Sequence, residues 1–265
     1  MTTNCIACNL HLRSYASFIS ICPRCGLGQT KTSSTVSYRN YYRDVQYLQN
    51  SSQFRNIFAK RVTIINRFKK PGLALEIGSS SGELLKLLQN TGWQVLGVEP
   101  SKKSFLAAIV PTLHTTFDKA ELKKHSFDLI VLNHVLEHLE SPFQVLKKCY
   151  GLLSPQGLVF IDVPNFGSLS SRVLRSWWPY LLVGEHRWHL TYPALKTLLE
   201  HAGFKIIHWE TRSGIWDYGS PGQELIDSLV SLKKRFITNF LTAIPSWIIS
   251  QLKLGTSLTV IGQKL

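Results

Sequence analysis

The sequence predicts an α/β fold with a mostly parallel sheet, preceded by a small metal-clamped ribbon. Three observations carry this. Apolar strand-like runs alternate with helical patterns from Leu73 to Val163. Small-residue turns follow the first of those strands at Gly78-Ser79-Ser80-Ser81-Gly82. Four of the five cysteines fall in the first 25 residues as Cys5-Ile-Ala-Cys8 and Cys22-Pro-Arg-Cys25.

Within the ribbon, expected over residues 1–32, a two-residue gap lets both sulfurs of one tight knuckle face the same ion. Two knuckles then supply four soft ligands in a tetrahedron, so Cys5, Cys8, Cys22 and Cys25 form a candidate structural Zn2+ site. A rubredoxin-like iron site and two separate redox pairs are the alternatives. A ribbon this short has little core and needs a clamp to fold. Leu12 to Ile21 is rich in β-formers and suits a hairpin, and Gly26 stands where a knuckle needs positive φ.

Residues 33–70 read as a basic helical segment. Tyr47, Phe54, Ile57, Phe58, Ile64, Ile65 and Phe68 recur at helical spacing among Arg55, Lys60, Arg61 and Arg67, and Pro71-Gly72 ends the pattern. Residues 1–70 hold eleven Lys/Arg and a single acid, Asp44, whereas residues 71–265 hold nineteen bases and fifteen acids. This asymmetry is either a solvated basic face or a docking surface for phosphates. With 44% hydrophobic and 17% charged residues and a net charge of +14, global disorder, collagen and disulfide-scaffold classes are excluded. No apolar run reaches the ~18 residues of a spanning helix. The N-terminus lacks the layout of a signal peptide, so a cytoplasmic protein with reduced thiols is expected.

In the large domain, 71–265, strands are expected at Leu73–Ile77, Trp93–Val98, Thr112–Thr116, Leu129–Asn133, Gly157–Val163, Phe204–Thr211 and Ser257–Gly262. Helices are expected near Gly82–Asn90, Lys102–Ile109 and Pro142–Leu153, with Cys149 a small core residue in the last. The loop after the first strand is neither a Walker cradle nor G-x-G-x-x-G. The acid Glu76 sits two residues before Gly78, where it would repel a pyrophosphate but suit a ligand carrying ammonium and sulfonium groups. Glu99 ends the second strand about twenty residues on, a position from which a carboxylate can accept both ribose hydroxyls. An NAD enzyme wants the same acid.

With Phe127-Asp128-Leu129-Ile130-Val131-Leu132-Asn133-His134-Val135-Leu136-Glu137-His138 added, the chain resembles the class I S-adenosylmethionine-dependent methyltransferases. The likeness is greatest to the subgroup around ubiquinone-biosynthesis O-methyltransferases and sugar- or polyketide-modifying methyltransferases. It continues through Pro155-Gln156-Gly157, Val163-Pro164-Asn165, His186 to Thr191 and Ala202-Gly203-Phe204. The resemblance implies a Rossmann-like seven-stranded sheet with an antiparallel last strand, and S-adenosyl-L-methionine as cofactor. It implies that Gly78 and Gly82 shape the floor under the methionine part, Glu76 positions it, and Glu99 holds the ribose. Asp118 would contact the adenine, and Asn133 and His134 would line the mouth where the methyl leaves. Ser80 replaces a frequent family glycine, a change tolerated if its φ stays negative.

Methyl transfer from a sulfonium needs little covalent help beyond positioning. A hydroxyl acceptor gains from a histidine base, for which His186, His189 and His134 are the candidates. Each could equally be a hydrogen-bonded structural residue. His134-x-x-Glu137-His138 also spells an inverted zinc-peptidase motif, an alternative that its place after a buried strand disfavours. Insertions at 166–190 and 222–253 are expected as lids. The second has a basic amphipathic pattern that suits a packed helix pair or a membrane surface. The acceptor expected is a small molecule: a sugar, a phenolic or a lipid-like compound. RNA methylation through the basic N-terminal region and a non-catalytic interaction role are the alternatives.

Overall fold

The computed structural model describes residues 4–31, 51–230 and 235–265. The expectation of helix between residues 33 and 50, Tyr47 included, lies outside the described residues, as do Lys233 and Lys234 of the second insertion. The chain divides into two compact units. One comprises residues 4–31, 121–210 and 256–265, and the other residues 51–120, 211–230 and 235–255.

In the first unit, β1 (Arg13–Ala16), β2 (Ile19–Ile21) and β3 (Gly28–Thr30) form an antiparallel ribbon. A two-residue strand, β9 (Trp188–His189), extends it by pairing Gly28 with His189 and Gln29 with Trp188. The ribbon therefore shares its sheet with a segment some 160 residues downstream. Ile19, Phe166, Trp178 and Leu181 make one hydrophobic cluster, so Phe166, Trp178 and Leu181 of the expected 166–190 lid are core residues.

The same unit holds β7 (Phe127–Asn133), β8 (Leu153–Pro164), β10 (Phe204–Arg212) and β11 (Ser257–Lys264). β7 and β8 run parallel, and β11 pairs antiparallel with β8 from Ser257↔Pro164 to Gln263↔Leu158. Both faces of β7 and β8 are buried, which explains their unbroken apolar runs. The expected strand at Gly157 starts earlier, at Leu153, because the polypeptide leaves α4 (Pro142–Leu152) directly into extended backbone.

The second unit holds β4 (Leu73–Ile77), β5 (Gln94–Val98) and β6 (Thr112–Leu113), all parallel. The hydrogen-bonded order of the seven strands is β10-β11-β8-β7-β4-β5-β6, with the antiparallel last strand slotted between β10 and β8. This is the Rossmann-like seven-stranded sheet expected. The helices of the second unit are α1 (Ser51–Phe68), α2 (Glu83–Gln89), α3 (Lys102–Leu106), α7 (Pro221–Val230) and α8 (Arg235–Gln251). In the first unit α5 spans Leu169–Leu174 and α6 spans Tyr192–His201.

One expectation about charge needs correcting. Arg61 of α1 is not part of a solvated or docking face: it is 1% exposed. Its guanidinium forks onto Asp217, at 2.8 Å to Oδ1 and 3.1 Å to Oδ2, and Asp217 Oδ1 also accepts from Arg212 Nε at 2.8 Å. A cation this deep is tolerated because it is paired and hydrogen-bonded. Arg55, in turn, pairs with Glu83 at 3.2 Å.

Candidate functional site

The loop after β4 contains three left-handed residues, Gly78 (φ 68°), Ser80 (φ 48°) and Gly82 (φ 83°). A side chain at Gly82 would be strained, since its φ is left-handed and a Cβ there would lie 2.6 Å from Val110 Cγ2. Ser80 does not meet the condition of a negative φ, and its strained backbone is held by a partner. That partner is Glu99: its Oε2 accepts the Ser80 N–H at 2.8 Å while its Oε1 accepts that of Ser101 at 2.7 Å. The acid expected to hold a ribose thus also clamps the loop in its strained shape. A carboxylate oxygen accepts more than one hydrogen bond, so the two roles do not compete.

Glu76 is 4% exposed and its Oε2 has no hydrogen-bond partner. Burial, and then the nearby Glu99 charge, push its pKa well above the usual carboxylate range. Ser79 Oγ is likewise buried and unpartnered. Two orphaned acceptors at the carboxyl end of β4 fit a ligand with a cationic donor, which the ammonium and sulfonium of S-adenosylmethionine supply. Asp118 lies in an exposed turn after β6.

In the first unit, β7 ends at Asn133, whose Oδ1 is buried and unpartnered. His134 follows with φ 55°, its N–H donating to the Asp162 carbonyl at 2.8 Å. Leu136–His138 then forms a 3₁₀ turn, not the α-helix that a peptidase motif would need. Arg187 N–H donates to the Glu137 carbonyl and Trp188 Nε1 to that of Leu139, at 2.9 and 2.8 Å. These bonds bring His186 against the turn.

Glu137, 1% exposed, is ringed by imidazoles: His134 Nδ1 at 3.4 Å, His186 Nε2 at 3.9 Å and the nearby His138. Burial pushes its pKa up, but the His134 contact and the charges of His138, His134 and His186 outweigh that and hold it at about 2. His186 is pulled down to about 4 by burial, against the upward pull of Glu137. Its Nδ1 faces the Tyr180 carbonyl at 2.9 Å, and His138 Nδ1 faces that of Glu185 at 3.1 Å. These carbonyls orient the rings as metal-bound imidazoles are oriented. Glu137, His138 and His186 each bring one ligand atom to within 4.8 Å of the others, a donor set that divalent cations accept.

His189 is placed elsewhere, in the ribbon sheet. Thr30 Oγ1 donates to the His186 carbonyl at 2.7 Å and lies 3.0 Å from His189 Nε2, which must therefore carry a proton and donate. Burial, followed by the His186 charge, lowers its pKa to about 3. Of the three candidate bases only His134 is substantially exposed, its side chain at 35%. It is flanked by two carboxylates, Glu137 and Asp162, the latter 3.8 Å from Nε2.

The four ribbon sulfurs stand 3.3–3.6 Å apart along the Cys5–Cys25, Cys5–Cys8, Cys8–Cys22 and Cys8–Cys25 edges. That is far beyond a disulfide and close to the edge of about 3.8 Å that a tetrahedral Zn–S4 site would have. The two knuckles repeat one hydrogen-bond pattern: Asn9 N–H to Cys5 O at 2.9 Å, and Gly26 N–H to Cys22 O at 3.0 Å. Asn9 (φ 55°) and Gly26 (φ 71°) are both left-handed there. The cluster is compatible with a zinc ribbon.

A family model described as a methyltransferase domain matches residues 43–209. The chain belongs to that methyltransferase family. A ubiquinone biosynthesis O-methyltransferase of Bradyrhizobium diazoefficiens is 28% identical over 135 residues, 43% of this chain and 50% of that protein. An uncharacterized methyltransferase of Alkaliphilus oremlandii is 34% identical over 106 residues, 38% of this chain and 49% of that protein. The chain thus spans about half the length of these curated relatives. Among solved methyltransferase structures, an S-adenosylmethionine-dependent enzyme from Thermotoga maritima superposes with TM-score 0.57 at 17% identity, covering 84% of this chain and 98% of that one. Haemonchus contortus phosphoethanolamine N-methyltransferase 2, solved with S-adenosyl-L-methionine, gives 0.57 at 16% identity, covering 89% and 62%.

Proposed function

We propose that this methyltransferase-family chain moves a methyl group from S-adenosylmethionine to a hydroxyl of a small phenolic, sugar or lipid-like acceptor. The observation that carries the reading is the buried Glu76 carboxyl with its unpartnered oxygen, an acceptor that a cationic methionine tail completes. The bound cofactor would supply an already activated methyl. Glu76, Gly78 and Gly82 would bind its amino-acid end and Glu99 its ribose, with Ser80 held in place by Glu99; Asp118 would serve the adenine. Asn133 and His134 belong to the acceptor side, where His134 would take the hydroxyl proton. Glu137 would orient and hold the charge of that imidazole, with His186 behind it. His189 would be structural, and Cys5, Cys8, Cys22 and Cys25 would bind structural zinc. The relatives named for ubiquinone biosynthesis support the phenolic, lipid-like end of the acceptor range.

Calorimetry with S-adenosylhomocysteine and NAD side by side tests the reading. Tight binding of the former, sharply weakened in Glu99→Ala, is expected; preference for NAD overturns it. His134→Gln should then lower kcat on a phenolic acceptor at least about a hundredfold while leaving cofactor affinity unchanged. Salt-sensitive binding to RNA would favour a nucleic-acid acceptor instead.

A further inference from the structure

Amphipathic helices of globular proteins turn their apolar stripe inward. α7 and α8 do the reverse. In α7 the buried side chains are Glu224 and Ser228, hydrogen-bonded to each other at 3.3 Å, while Ile226, Leu229 and Val230 are more than half exposed. Among the described side chains of α8 the buried ones are Ser246 and Ser250. Ser246 Oγ would be 2.8 Å from a Cβ on Gly214, the Ser250 carbonyl accepts from Thr211 Oγ1 at 3.3 Å, and Trp216 Nε1 donates to the Ala243 carbonyl at 2.7 Å. These contacts hold the polar side of α8 against its own unit. The opposite side carries Ile237, Phe240, Leu241, Ile244, Trp247 and Ile248, each 46–72% exposed and spaced as one helical stripe.

Such a ridge is larger than the isolated apolar residues that normal surfaces carry, and it calls for an occupant. Charge identifies it. After Asp227 the sequence has no Asp or Glu; along the chain Lys233, Lys234 and Arg235 come just before the apolar stripe and Lys253 just after it. A second copy docked by a two-fold axis would set these cations against themselves. An anionic bilayer accepts both the apolar ridge and the flanking cations. No described helix is long and apolar enough to cross a membrane, so α8 would lie in the interface plane.

We propose that α8, with the end of α7, seats this protein on the surface of anionic membranes. The inference does not depend on the identity of the acceptor.

Flotation with vesicles of phosphatidylcholine plus phosphatidylglycerol, against phosphatidylcholine alone, tests it. The wild-type chain should float with the anionic vesicles and less so at high salt. The double variant Leu241→Gln/Ile244→Gln should bind at least about tenfold more weakly, since two exposed apolar groups no longer enter the interface. These positions face outward, so melting temperature and S-adenosylhomocysteine affinity should stay unchanged, which separates loss of docking from loss of fold. The idea is overturned if wild type does not float, if the variant floats equally, or if sedimentation shows a lipid-independent dimer that the same variant dissolves.

Discussion

Thr191 Oγ1 donates to the carbonyl oxygen of Cys25 at 2.5 Å and accepts the Ala194 N–H at 3.3 Å. A single hydroxyl therefore caps α6 and ties down the second cysteine knuckle. The isosteric change Thr191→Val should cost about 1–3 kcal/mol, the range of a lost cap plus an unmet buried carbonyl. Thr191→Ser should recover most of it. Urea midpoints measure both, and a valine variant as stable as wild type would remove the tie from the account.

Metal removal should be felt far from the cysteines. Because Gly28 and Gln29 of β3 pair with His189 and Trp188, stripping zinc with a chelator should raise amide hydrogen exchange at residues 186–191 as well as in the ribbon. Zinc should restore protection, and metal analysis should find one ion per chain. Exchange confined to residues 4–31 would show that the ribbon does not brace β9.

Glu76 is expected to trade stability for binding. Its folded pKa lies above its unfolded one, through burial and the Glu99 charge. Keeping it ionised therefore costs the folded state, and the cost grows as pH rises above the unfolded carboxyl value. Glu76→Gln should stabilise the cofactor-free protein at neutral pH by about 1 kcal/mol or more while weakening S-adenosylhomocysteine binding at least about tenfold. Thermal melts with and without ligand read both effects; a destabilised variant that binds normally would contradict the assignment.

Acid should destabilise the first unit before ordinary carboxylates titrate. His186 and His189 are depressed to about 4 and about 3 by burial, so below the unfolded value of 6.5 the unfolded chain takes up protons that the folded one refuses. The stability they confer is complete above that value and falls as pH drops toward 4. Each histidine adds a slope of up to about 1.4 kcal/mol per pH unit in that window. Glu137, held near 2, contributes a further loss only below about 4.5. Urea midpoints between pH 7 and 5 should fall steeply in wild type and less in His189→Gln; equal slopes would exclude His189 as a source.

Much of the molecule is legible in its residues because the deciding interactions are local. The strands of the sheet follow from runs such as Leu129–Leu132, the α6 start from Thr191 and Pro193, and the knuckles from the two-residue cysteine gaps. Glu76 and Glu99 stand out through their spacing from the loop glycines. The Ser80 conformation is not legible this way, since its φ is set by an acceptor nineteen residues away.

The sequence alone thus determined the alternation of strands and helices, the four-sulfur cluster and the two carboxylates, all carried by short-range periodicity and spacing. Only the tertiary structure decided that β3 pairs with β9, that Glu137 gathers histidines from two segments, and that the apolar stripe of α8 faces outward. Periodicity marks a stripe on a helix but is the same whichever way the helix is turned. The direction comes from partners distant in sequence, here Thr211, Gly214 and Trp216, which claim its polar side.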